Sequence, residues 1–175
     1  MILRTRYFGK AAGLALLAAC STTASVSAPD VPAALRPPVG QVAYLEALAT
    51  GVQIYECSQK ADSAYEWMLK APEASLAARS GQYLGRHYAG PTWESTDGSA
   101  VVGEVKARDP GPTPSAIPWL LLGAKANSGS GVFSSTKSIQ RVSTNGGLAP
   151  AEPCGATSLH KVTRVPYTAS YYFFR

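Results

Sequence analysis

Charge is scarce in this sequence. Asp, Glu, Lys and Arg make up 15% of its 175 residues, where a globular domain usually carries about a quarter. Long apolar runs are missing as well. None reaches the roughly 18 residues of a transmembrane helix. Two Met stand against 16 Gly and 13 Pro, a balance that disfavours a helical bundle and favours short strands joined by turns. No C-x-x-C pair is present, and His87 and His160 lie far apart in the chain, so no metal site is expected. No Walker loop occurs. Gly129 and Gly131 would need a third glycine at 134, which is Ser134, so a dinucleotide fingerprint is missing and no cofactor is expected. The sequence is nevertheless 46% hydrophobic, too apolar for disorder and long enough for one domain with a buried core.

The chain opens with an export signal. Arg4, Arg6 and Lys10 form a basic start, and Ala11 to Ala19 is an uncharged apolar run. It ends in Leu17-Ala18-Ala19-Cys20, small residues before a cysteine. This resembles the bacterial lipobox, whose thiol takes the lipid and becomes the new N-terminus. Residues 1–19 are therefore expected to be a lipoprotein signal peptide. Residues 20–38, rich in Ser, Thr, Ala and Pro, read as the lipidated Cys20 and a flexible tether, and 39–175 as a single β-rich domain. Ser21 in the position after the lipidated cysteine implies the outer membrane of a Gram-negative envelope. Three of the 16 Lys and Arg fall in the leader, so 13 basic residues face 11 acidic ones in what remains. No basic stripe is left to grip a nucleic-acid backbone. With Cys20 assigned to lipid, Cys57 and Cys154 remain, and in an oxidising compartment they are expected to form a disulfide.

Period-two alternation dominates the rest. Val42 to Thr50 is ambiguous between helix and strand and leans to a strand. In Gly51–Cys57, Gln53, Tyr55 and Cys57 share one face. Tyr65 to Leu69 alternates and is expected to stop before Pro72. Gln82 to Tyr88, Trp93 to Glu94, Val101 to Lys106, Ile117 to Gly123 and Ile139 to Thr144 follow, separated by Asp97-Gly98, a D-P-G-P-T-P loop at 109–114 and Asn145-Gly146-Gly147. At the C-terminus Val165, Tyr167, Ala169, Tyr171 and Phe173 fall on one face, which should be the core face. The fold class is all-β, an antiparallel sandwich or barrel-like domain closed by one disulfide. Most of these strands look shorter than the 9–11 residues of an outer-membrane barrel.

Several phrases together carry a family likeness: Gly51-Val52-Gln53-Ile54-Tyr55-Glu56-Cys57, Gly85-Arg86-His87-Tyr88-Ala89-Gly90-Pro91-Thr92-Trp93, Asp97-Gly98-Ser99, Ile117-Pro118-Trp119-Leu120-Leu121, Ile139-Gln140-Arg141 and Tyr167-Thr168-Ala169-Ser170-Tyr171-Tyr172-Phe173. Over about residues 31–175 the chain resembles the Domain of Unknown Function 3455 family, exported proteins of bacteria and fungi. The resemblance implies a β-rich secreted domain and no particular activity.

Two constellations bear on function. His87, Asp97 and Ser99 lie within 13 positions and have the residue types of base, orienter and nucleophile. Yet Asp97-Gly98-Ser99 is also an ordinary turn, and no G-x-S-x-G elbow surrounds Ser99. The second set is His87, Trp93, Asp97 and Arg141, a polar-aromatic group suited to binding at one end of the sheet. A histidine beside a carboxylate there would gain charge near pH 6–7. Arg141 could fork onto a ligand carboxylate or pair with an internal Glu or Asp. The expectation is a non-enzymatic cell-envelope lipoprotein that binds a glycan or protein ligand. The alternative is a secreted hydrolase using His87 with Asp97 or Ser99.

Overall fold

The computed structural model describes residues 26–175, so the expected signal peptide and Cys20 lie outside the described residues. Eight strands follow one another in the chain: β1 Ala43–Gln59, β2 Tyr65–Ala77, β3 Tyr83–Tyr88, β4 Thr92–Ser95, β5 Ala100–Asp109, β6 Trp119–Ser128, β7 Ser138–Gly146 and β8 Val162–Phe174. Each pairs antiparallel with its neighbours, and β8 returns to pair with β1, closing a barrel. Of the two all-β arrangements expected, the closed ring is the one adopted, and closure removes both sheet edges.

The ambiguous stretch before Gly51 is strand. Val52–Cys57 continues it, and the two make one 17-residue β1. Gly51 does not break it because a side chain there would collide with the β2 backbone: a Cβ would lie 2.4 Å from Ala74 Cα. Glycine thus permits the close pairing of β1 and β2. Strand β2 runs through Pro72, where a stop was expected. The register jumps from Tyr55↔Leu69 to Ile54↔Ala71, which makes Lys70 a bulge. Pairing of β2 with β3 reaches only from Ala74 to Ala77, so Pro72 sits where no β3 partner needs its missing N–H.

The inner face carries the core. In β8, Tyr167, Ala169, Tyr171 and Phe173 are buried, whereas Thr168 is exposed. Trp93, Leu122, Ile139 and Phe133 join them inside the ring. Tyr172 and Phe174, on the opposite face, are buried too. Residues expected to be tether cover them: Val31 and Leu35 pack with Ala43, Leu121, Val142, Tyr172 and Phe174 in a second, external cluster. Gln140, also facing outward, donates from Nε2 to Leu35 O at 2.7 Å. The segment 31–35 is therefore a strap bound to the barrel wall, because its two large apolar residues find an apolar stripe that polar-out alternation would not supply.

Five strands are longer than their sequence pattern suggested: β1, β2, β5, β6 and β8 have 10 to 17 residues. Length alone thus does not distinguish this barrel from a membrane one. Its outer surface does. Arg86–Glu94, Arg164–Glu73 and Lys106–Glu104 form exposed ion pairs on that surface, and such side chains are unfavourable on a lipid-facing wall.

Candidate functional site

Strands β3 and β4 have six and four residues, whereas their neighbours β2 and β5 have 13 and 10. Pairing between β2 and β3 ends at Ala74↔His87, and pairing between β4 and β5 ends at Thr92↔Val102. Above the tip of this short hairpin the barrel wall is open. Leu69, Lys70 and Pro72 of β2, Gly90 and Pro91 of the tip, and Val105 and Arg108 of β5 frame the window. Behind it lies a cavity of about 270 Å3, whose deeper wall is Gln53, His87, Trp93, Leu120, Leu122, Arg141 and Tyr171.

The positions follow from register. His87 and Trp93 are directly opposed across β3 and β4, and their rings stack with centroids 4.3 Å apart and planes 15° from parallel. Tyr171 meets both rings edge-on, at 5.1 and 5.3 Å. The His87 Nδ1 lies 2.9 Å from Thr92 O. A carbonyl only accepts, so Nδ1 carries the proton and Nε2 is the acceptor. Burial holds the imidazole pKa down to about 3. The Thr92 bond opposes this effect and the nearby Arg141 charge adds to it. Contrary to the expected charge gain near pH 6–7, His87 is a neutral ring across that range. It is buried beside a cation and has no carboxylate partner.

Arg141 and Tyr171 are cross-strand neighbours on β7 and β8, both directed inward. The guanidinium donates to Pro118 O from Nε at 3.2 Å and from Nη2 at 2.8 Å. Its charge opposes the effect of burial on Tyr55, Tyr167 and Tyr171, whose hydroxyl pKa values are all raised. The internal Glu or Asp expected as one partner for Arg141 is absent among the described residues: none makes a salt bridge to it, and no carboxylate lines the cavity. Two buried donors there have no acceptor, Gln53 Nε2 and Trp93 Nε1. Gln53 was not singled out by the sequence, yet a signal existed. It shares its strand face with Tyr55 and Cys57, and Cys57 was already expected to be tied into a disulfide.

Of the four expected binding residues, the structure brings His87, Trp93 and Arg141 together. Asp97 lies elsewhere, in the β4–β5 turn, where Gly98 adopts a φ of +83°. Asp97 Oδ1 accepts from Ser99 N–H at 2.8 Å and from Ser99 Oγ at 2.6 Å, and Oδ2 accepts from Val132 N–H at 2.8 Å. Ser99 Oγ in turn accepts from Phe133 N–H at 3.0 Å. This clasp pins the β6–β7 loop so that Phe133, 1% exposed, packs inside the ring against Phe173, with centroids 4.7 Å apart. Neither Asp97 nor Ser99 hydrogen-bonds His87, so the three residues do not form a relay in this structure.

The clasp has a pH signature. The Ser99 hydroxyl, followed by the two backbone N–H groups, holds the Asp97 pKa down to about 2, against about 3.9 when unfolded. A depressed folded pKa adds stability above the unfolded value, and that stability is lost as pH falls through the folded one. Wild type should therefore melt higher than Asp97→Asn at pH 5, and the gap should narrow between about pH 4 and pH 2. Circular dichroism melts across that range check this. A gap independent of pH would show that the carboxylate charge contributes nothing.

No curated protein and no solved structure matches the chain. The family model described as Protein of unknown function (DUF3455) matches residues 38–175, and the chain belongs to that family.

Proposed function

We propose that this protein is a lipid-anchored envelope protein whose barrel holds a small ligand in its interior. The observation that carries the reading is the pair of partnerless buried donors, Gln53 Nε2 and Trp93 Nε1, on the wall of a cavity that opens through a window. A buried donor left without an acceptor costs about 1–3 kcal/mol. A bound molecule bearing acceptors would remove that penalty. Concave, mostly apolar sites with a few convergent polar groups are the usual form of small-molecule pockets. The expected glycan or protein partner is replaced in this reading by a molecule small enough for about 270 Å3. Anchoring rests on Leu17-Ala18-Ala19-Cys20 behind a basic leader.

Two measurements test the two halves. Labelled fatty acid should enter wild type and not Cys20→Ser. Absence of label from wild type removes the anchor. For the cavity, the full chain in detergent is screened with small aromatic and aliphatic acids, amides and alcohols by thermal shift and by quenching of tryptophan fluorescence. Compounds should raise the melting temperature of wild type but not of a folded Val105→Trp variant, whose indole fills the space behind the window. If no compound distinguishes the two proteins, the barrel is a scaffold and the binding reading fails.

A further inference from the structure

We propose that the interior ligand is a small organic carboxylate, its acidic head against Arg141 and its apolar body beneath Trp93. This inference rests on the reading of the cavity as a ligand site and adds the chemistry of what fills it.

Arg141 is half-buried, and the groups it meets among the described residues, the Pro118 carbonyl and the Tyr171 hydroxyl, carry no formal charge. A cation withdrawn from water is best matched by an anion, and no carboxylate is present in the wall. Nη1 takes no part in the Pro118 bonds. The planar guanidinium fork matches carboxylate and phosphate alike, and the apolar lining beside it favours the carboxylate of an organic acid. Two buried donors beside it also lack a partner. Gln53 Nε2 and Trp93 Nε1 are donors without acceptors, each on a residue that is 1% exposed. Both of these buried donors therefore ask for an acceptor, and the His87 Nε2 acceptor beside them can accept a hydrogen bond from a hydroxyl or amide on the same ligand.

The rim has the same sign. Lys70 and Arg108 frame the window. Lys70 is held by Glu56 at 3.2 Å, and Arg108 makes no salt bridge among the described residues. A cationic rim of this kind favours entry of an anion. A cationic ligand would meet three positive side chains and no carboxylate. The rest of the wall is apolar: Val105, Leu120, Leu122 and the ring faces of Trp93 and Tyr171. An apolar cavity of about 150 Å3 accommodates benzene, so 270 Å3 has room for one ring or a short alkyl chain together with an acidic head.

The experiment pairs each acid with its neutral isostere. Acetate, benzoate, hexanoate and 3-phenylpropanoate are titrated against their amides into the full chain in detergent at pH 7, read by calorimetry and by tryptophan quenching, with inorganic phosphate as a separate arm. In wild type the best acid should bind at least tenfold more tightly than its amide. Arg141→Gln should abolish that preference, and Arg141→Lys should leave part of it, because charge remains without the fork. Should Arg141→Gln fail to fold, the matched pairs on wild type still decide. Equal binding of acid and amide overturns the carboxylate and leaves the cavity standing as a site. Equal stabilisation by inorganic phosphate overturns the apolar body. Binding of none of the probes overturns this inference together with the ligand-binding reading on which it rests.

Discussion

Trp93→Ala should lower stability by about 3–5 kcal/mol, the range for emptying a buried aromatic site. Urea unfolding would read the loss as a lower midpoint at an unchanged slope. The indole is 1% exposed and touches three other strands of the ring. It stacks on His87, meets Tyr171 edge-on at 5.3 Å and Phe173 at 6.1 Å. It also lies against β5 at Gly103, where a Cβ would come within 2.8 Å of the indole. Glycine at 103 is thus what lets the six-membered ring reach the strand, and Gly103→Ala would force Trp93 or β5 to move. Because the surrounding strands are hydrogen-bonded in a closed ring, they can collapse only slightly into the vacated space, which places the loss toward the upper end. The comparison is Thr168→Ala, at an exposed position, expected to stay within about 0.5 kcal/mol. A loss under about 1 kcal/mol for Trp93→Ala would mean that the interior is loose enough to refill, and the geometry of the cavity would have to be reconsidered.

That same residue shows how far the sequence could be read. Alternation placed Tyr167, Tyr171 and Phe173 on the core face, since a strand with one buried side shows period two directly. Trp93 was grouped with the binding residues, and the structure makes it core as well as cavity wall. Its neighbour Glu94 points outward to Arg86 and Tyr88, as a strand neighbour must. What parity could not give was closure. Whether an antiparallel meander remains a sandwich or joins its ends depends on β8 meeting β1, a pairing between residues more than a hundred positions apart. The window was hidden for a related reason. It exists because β3 and β4 are shorter than β2 and β5, and strand ends are the least sharply marked feature of a sequence. His87 and Arg141 were expected in one group and do line one cavity, but His87 was given the wrong chemistry. The 87–97 spacing suggested a carboxylate beside it, whereas the hairpin carries Asp97 to the opposite end of β4 and leaves the imidazole facing an arginine. The strap was missed because Ser, Ala and Pro dominate residues 21–38, and the two residues that dock, Val31 and Leu35, are too few to produce a periodic signal.

Removal of the Cys57–Cys154 bridge should cost about 2–5 kcal/mol, as loss of native disulfides typically does in exported domains. The bond joins residues 97 positions apart with Cα atoms 5.7 Å from each other. In the loop-entropy account, closing a loop of about 100 residues disfavours the unfolded chain by about 4.7 kcal/mol. The folded side has its own stake. Cys57 is fully buried near the end of β1, and Cys154 belongs to the long β7–β8 connection, a segment with little regular structure beyond the short 3-10 turn Ala156–Ser158. That connection is also held by Tyr55 Oη donating to Gly147 O at 2.7 Å, by Trp67 Nε1 donating to Glu152 O at 3.0 Å and by His160 N–H donating to Cys57 O at 2.9 Å. Those bonds should keep the reduced barrel folded with the connection loosened, so the loss appears as a lower melting temperature and not as failure to fold. At about 2–4 °C per kcal/mol for a chain of this size, the Cys57→Ala/Cys154→Ala double variant should melt roughly 4–20 °C below the oxidised protein. Adding a reductant should move wild type to the same position and leave the double variant where it was. Thiol titration of the unreduced protein should detect neither Cys57 nor Cys154. If wild type and the double variant melt together, the bridge is dispensable, and the hydrogen bonds of the connection fix this end of the barrel without it.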